Sequence, residues 1–229
     1  MLVGVGKAWW RTAGAAVLVS VLAGCSGAAE TDAESSPSPT ASPSASPSEE
    51  VRSGGRVGAA GSACLLPVGF DLAAEWKADA IDGSAADAEA DGGGTAEVDE
   101  DMASLLRQGP VTLVCEIDAK PAGHLGFLRV YTGESGKGGD ARAVLQAFVT
   151  AQDGAKKARY SAFETGGLPG VAVEYRATSE LLDETKQESA FAVVTPDGPV
   201  VVHLGGADTE EHQDMLPAFE LARKTLRTV

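Results

Sequence analysis

The chain predicts an α+β domain, a mostly antiparallel sheet with two or three helices packed on it, behind an N-terminal linker that is not expected to fold. Three observations carry that prediction. Apolar residues alternate with period two at Val68, Phe70 and Leu72, at Trp76, Ala78 and Ala80, and at Val171, Val173 and Tyr175. Two β-rich runs, 191–194 and 200–204, flank the turn signal Thr195-Pro196-Asp197-Gly198-Pro199. The chain then ends in helical spacing, with Met215, Phe219, Ala222 and Leu226 on one side.

In chain order, Lys7 and Arg11 precede an apolar stretch over residues 12–24. That stretch is shorter than the roughly 18–20 residues a membrane-spanning helix needs. It closes on Leu22-Ala23-Gly24-Cys25, which resembles a bacterial lipobox. The resemblance implies that residues 1–24 are a lipoprotein signal peptide removed in the mature protein. It also implies that Cys25 Sγ carries diacylglycerol and that the new amino terminus is open to a further acyl chain such as palmitate. Acyl chains contribute about 0.8 kcal/mol per buried methylene, so two or more give a stable anchor. The expected location is the extracytoplasmic face of the cell membrane.

Residues 25–61 read as the lipidated Cys and a disordered linker. The Ser/Pro/Ala tract from Ser36 to Ser48 has almost nothing apolar to bury. Extended polyproline II at about 3.1 Å per residue would let some 30 such residues reach up to ~90 Å.

Residues 62–229 are expected to form one globular domain with its own core. Two strands around a turn at Ala73-Ala74-Glu75 open it. Residues 82–95, rich in Ala, Asp and Gly, read as an acidic insertion at a loop tip. Val98, Met102, Leu105 and Leu106 have helical spacing, with Asp99, Glu100 and Asp101 in the first turn, and Gly109-Pro110 ends that helix. Strands follow over 111–117 and 125–131. Asp140 is placed to cap a helix presenting Val144, Leu145, Phe148 and Val149. Pro217 is tolerated in the terminal helix only if that helix begins near Asp214. Trp76, Phe70, Phe127, Phe148, Phe191 and Phe219 are expected in the core, with Trp76 the one placed to anchor a partner if half exposed.

Leu66 to Phe70, Gly126 to Val130 and Met215 to Glu220 resemble PsbP-like lipoprotein domains, including the LpqN-type lipoproteins of high-GC Gram-positive bacteria. The resemblance implies a binding or assembly module without catalytic residues. The insertion at 82–95 and the cysteine pair have no counterpart in it.

The formal net charge is −15, and loss of Lys7 and Arg11 leaves 16 basic against 33 acidic residues, a net −17. Such a balance excludes nucleic acid as the expected partner, because phosphate neutralisation needs clustered Lys and Arg. Of three cysteines, Cys25 is assigned to lipid, which leaves Cys64 and Cys115 as an even pair in an oxidising compartment. A disulfide between them is expected, against the readings of two separate buried thiols or a Zn site, for which no CxxC or neighbouring His speaks.

Chemistry is sparse. His203, His212, Asp208, Glu210 and Glu211 match no known ligand set and read as solvated loop residues; no metal and no cofactor are expected. Ser135 lies in a glycine-rich loop without a nucleophile elbow. Gly136-Lys137 fails the phosphate-loop pattern, since position 131 is Tyr and Gly138 stands where Ser or Thr would meet magnesium. No catalytic residues are assigned.

The expected function is a non-catalytic cell-envelope lipoprotein that binds a protein partner, in one form regulating an envelope-stress sensor. The alternative is a lipid or small-ligand carrier at the membrane surface. Cys25→Ala is expected to leave an unprocessed precursor that incorporates no labelled palmitate; normal maturation of that variant would refute the lipobox.

Overall fold

Val200, Val201, Val202 and Leu204 are apolar without alternation, the pattern of a strand covered on both faces. The computed structural model, which describes residues 51–81, 104–136 and 139–229, puts that strand near the middle of a large sheet. The strands are β1 (Ser53–Val57), β2 (Val68–Ala73), β3 (Lys77–Ala80), β4 (Arg107–Gln108), β5 (Val111–Asp118), β6 (Phe127–Thr132), β7 (Ala155–Thr165), β8 (Leu168–Ser179), β9 (Glu184–Thr195), β10 (Gly198–Gly205) and β11 (Arg227–Thr228). Two full α-helices lie among the described residues, α1 (Ala141–Thr150) and α2 (Thr209–Lys224), with a 3-10 turn at Lys120–Ala122; Ser104 and Leu105, in the stretch with helical spacing, are also helical. The large sheet runs β3-β5-β6-β10-β9-β8-β7, with β4 also on β5; β1-β2-β11 form a second, smaller sheet. Pairing within both is antiparallel. The α+β architecture expected from the sequence is the one observed.

Each face of the large sheet has its own cover. Val130, Phe191, Val193, Val200 and Val202 pack in one cluster with Met215, Phe219 and Ala222 of α2 and with Phe70 of β2. On the other face, Tyr131, Val173, Ala190 and Val201 pack against Val144, Leu145 and Phe148 of α1. α1 forms as its sequence directs: the Asp140 carboxylate accepts from the Ala143 N–H at 2.8 Å, and Val144, Leu145, Phe148 and Val149 are buried. Trp76, Phe70, Phe148, Phe191 and Phe219 are buried. Phe127 is half buried, with the Arg129 guanidinium 5.1 Å from its ring centre.

Four differences from the sequence reading have physical causes. The packed part starts before Ser62, because β1 pairs with β2 and Arg56 Nε meets Asp71 Oδ1 at 2.8 Å. α2 begins at Thr209 rather than near Asp214, so Pro217 lies inside it. The Asp208 carboxylate caps that end by accepting from the Glu211 N–H at 2.9 Å, and the extra turn buries His212 and Met215. These gains offset the roughly 3 kcal/mol that an interior proline costs. β7 has no apolar alternation to mark it, because its two partly buried aromatics, Tyr160 and Phe163, pack on opposite faces and most of the rest is exposed. Leu105, which the spacing put on an apolar helix face, is 78% exposed. The lipobox with Cys25, the Ser/Pro tract, the 82–95 insertion, residues 98–103 and Lys137-Gly138 lie outside the described residues.

Cys64, in the connection between β1 and β2, is bonded to Cys115 on β5, with Cα atoms 5.9 Å apart and both residues buried. The bridge joins the approach to the small sheet with the large one. Closing a loop of this size restricts the unfolded chain by about 4 kcal/mol. The Cys64→Ala/Cys115→Ala variant is therefore expected to lose stability on that scale in urea denaturation, and non-reducing mass spectrometry should recover the linked peptides. Two alkylatable thiols in the native protein would contradict it.

Candidate functional site

α1 has ten residues, about 15 Å of helix at 1.5 Å per residue. β8 and β9 beneath it have twelve each, about 40 Å of strand. The helix therefore leaves both ends of its face uncovered. Past its C-terminal end opens a cleft of about 590 Å³; at its N-terminal end lies an apolar groove of about 810 Å³.

The cleft is floored by Gly205, the last residue of β10, opposite Phe127 of β6. A Cβ there would sit 3.4 Å from the His203 ring, so glycine keeps the floor low. Arg129, Lys186, Glu188 and His203 form its polar walls, and Leu125 and Leu182 stand on its rim, 64% and 69% exposed.

A buried carboxylate organises the inner wall. Glu188 Oε2 accepts from His203 Nε2 at 2.7 Å, Gln152 Nε2 at 2.9 Å and the Tyr175 hydroxyl at 3.0 Å. Its Oε1 lies 3.4 Å from Lys186 Nζ, which also donates to the Gly206 carbonyl at 2.8 Å. The Tyr175 hydroxyl touches the Gln152 carbonyl oxygen as well. Burial alone pushes the Glu188 carboxyl up, but the His203 hydrogen bond and charge, the Gln152 amide and the Lys186 ammonium together bring it down to about 2. Burial, reinforced by the Glu188 charge, pushes the Tyr175 phenol up, so it stays protonated. An ionised Glu188 requires the proton of His203 on Nε2; Nδ1, buried beside the cleft floor, has no protein partner among the described residues.

His203 and His212, expected in solvated loops, are buried instead, 7% and 0% exposed. They lie on opposite faces of the sheet. His203 packs 5.6 Å from the Phe148 ring of α1, while His212 of α2 pairs with Ser189 Oγ at 3.1 Å. Burial pushes the His212 imidazole down to about 4, with the Glu188 charge opposing. Among the described residues no group of three His, Cys, Asp or Glu side chains is spaced to hold a metal. Ser135 is tied to the hairpin by donating to the Pro196 carbonyl at 2.6 Å. His203 had a sequence signal that was passed over: a polar residue inside an unbroken apolar run takes the run's burial. Glu188, in Glu184-Thr185-Lys186-Gln187-Glu188, had none.

Over residues 34–226 the sequence matches the family described as uncharacterised lipoprotein. The chain belongs to that family. No curated protein matches it. Among the solved structures that resemble it are two that are each 13% identical and cover 76% of this chain. One is cyanobacterial PsbP (CyanoP) from Synechocystis sp. PCC 6803, with a TM-score of 0.43 and 97% of that chain covered. The other is LpqN, involved in cell envelope biogenesis of Mycobacterium tuberculosis, with a TM-score of 0.44 and 91% covered. Both fall within the PsbP-like and LpqN-type groups that the sequence resembles. At this distance neither lends a ligand or partner to this lipoprotein.

His212 and Glu188 both have folded values below their ordinary 6.5 and 4.5. Their contribution to stability is complete above those ordinary values and falls as acid is added. The expected losses are about 3 kcal/mol from pH 6.5 to about 4 for His212, and a similar amount from pH 4.5 to about 2 for Glu188. His212→Asn should flatten the upper window and Glu188→Gln the lower one in denaturant midpoints measured against pH. An acid profile unchanged by either substitution would contradict this assignment.

Proposed function

We propose that this lipoprotein is a non-catalytic module held at the outer face of the cell membrane by acyl chains on Cys25, where it binds a protein partner. Residues 1–24 are then the removed signal peptide, and the linker from Cys25 ends before β1. The observation that supports binding over catalysis is the saturation of Glu188. Each oxygen has a donor or cation in place, the carboxyl is held at about 2, and the neighbouring phenol is pushed up. Neither group is poised to exchange a proton near neutral pH. A hydrogen-bonded polar wall beneath a rim bearing the exposed Leu125 and Leu182 suits a protein surface better than a reacting substrate.

Protein binding is also favoured over carriage of an acyl chain. Phe191, Phe219, Met215 and Leu226 fill the space between sheet and α2, where a carrier would need an enclosed apolar chamber. A membrane-embedded sensor of envelope stress is a partner that a tethered module of this kind would serve.

A photo-crosslinking residue in place of Leu182, in intact membranes, is expected to give an adduct with one discrete membrane protein. Gly205→Val, which raises the cleft floor without touching the rim, should remove it. Co-purified lipid without an adduct, or an adduct indifferent to Gly205→Val, would overturn the reading.

A further inference from the structure

Among the described residues β7 is the last strand of the large sheet and pairs only with β8. It has eleven residues, about twice the usual strand length. A free edge of that length is a template for another chain unless something blunts it. Its first part is blunted. Lys157 has φ 58°, the register shifts between Lys156 and Arg159, and all three cations are exposed. The second part is not: Tyr160 to Thr165 pair with Val173 to Leu168 without interruption, and Glu164 is their one charge.

The apolar groove at the N-terminal end of α1 lies against this second part. Ala162, Pro169, Val171 and Val194 line it, with Val194 39% exposed, and Arg142 stands at its mouth. Backbone hydrogen-bonding capacity and a side-chain pocket thus sit side by side, the two ingredients of strand addition. Charge narrows the occupant. Lys156, Lys157 and Arg159 take part in none of the ion pairs among the described residues, although the chain carries a net −15. An acidic partner meets attraction here and repulsion over most of the rest. A second copy fits poorly: it brings the same net charge and a single acid, Glu164, to meet three cations.

We infer that the outer edge of β7 is a strand-addition site for an extended segment of a partner protein. That segment pairs with Tyr160 to Thr165, sets an apolar side chain against Ala162 at the near wall of the groove, and carries acidic residues toward Lys156, Lys157 and Arg159. This specifies the partner-binding reading given above and rests on it, but not on the cleft, which lies past the other end of α1.

The test uses the full-length protein and two probe peptides of alternating Val and Thr, one flanked by Glu at both ends and one by Lys. Fluorescence anisotropy should show the Glu-flanked probe binding about tenfold tighter, with slowed amide exchange confined to residues 160–165. Lys156→Glu/Lys157→Glu/Arg159→Glu should reverse the preference, and Ala162→Glu, at the groove wall nearest the edge, should weaken both probes. Equal affinity for the two probes, protection elsewhere, or a dimer paired through β7 in light scattering would overturn the assignment. Loss of probe discrimination while the Leu182 adduct persists in membranes would sink this site alone; absence of any protein adduct at Leu182 or at Ala162 would sink the partner-binding reading with it.

Discussion

Burial of β9 and β10 on both faces is the constraint from which the rest of the structure follows. Ala190 to Val193 and Gly198 to Leu204 are buried without a break, so the sheet they anchor needs two covers. The covers are unequal. One face receives the sixteen-residue α2 and the β1-β2-β11 sheet, with the Cys64–Cys115 bridge holding the approach of the small sheet to β5. The other receives ten residues of α1. A helix that short cannot roof strands of twelve residues, and the shortfall appears as a concavity at each of its ends. The two candidate surfaces are consequences of one mismatch in length.

The polar network of Glu188 sits where that roof stops. At this boundary the sheet still excludes water from side chains pointing toward α1, yet there is no longer a helix to supply apolar contacts. A carboxylate in such a place costs several kcal/mol unless donors surround it. Here they come from four segments: Gln152 just beyond α1, Tyr175 on β8, Lys186 on β9 and His203 on β10. The network therefore ties the end of α1 to three strands and fixes the wall of the cleft. Removing one partner leaves a buried charge short of a donor, which costs more than replacing the whole group by apolar residues would.

Much of this was legible in the residues, and the failures are physically consistent. Asp140 and its apolar stripe, the 195–199 turn, and the alternating runs at 68–72 and 171–175 all became the elements they indicate, because each is a local rule tied to one-sided or fully buried packing. β7 escaped because its two partly buried aromatics pack on opposite faces and leave no single face to pattern. α2 is longer than Pro217 suggests in sequence because the burial of His212 and Met215, a tertiary contribution, outweighs the local cost of the proline. The cleft was illegible for a related reason: Gln152, Glu188 and Lys186 are ordinary polar residues in sequence, and only strand register brings them to one point.

The closed face also fixes where the remainder of the chain joins. β1 belongs to the small sheet, and Val51 packs with the cluster on the α2 side. Val51, the first described residue, thus lies on the face opposite α1 and lines neither the cleft nor the groove. A tether joined there, as proposed above, would leave the α1 face and the β7 edge open. Had the attachment been on the α1 face, lipid anchoring and partner binding would compete for the same surface. The proposed anchor and the proposed binding surfaces therefore do not draw on the same face of the large sheet.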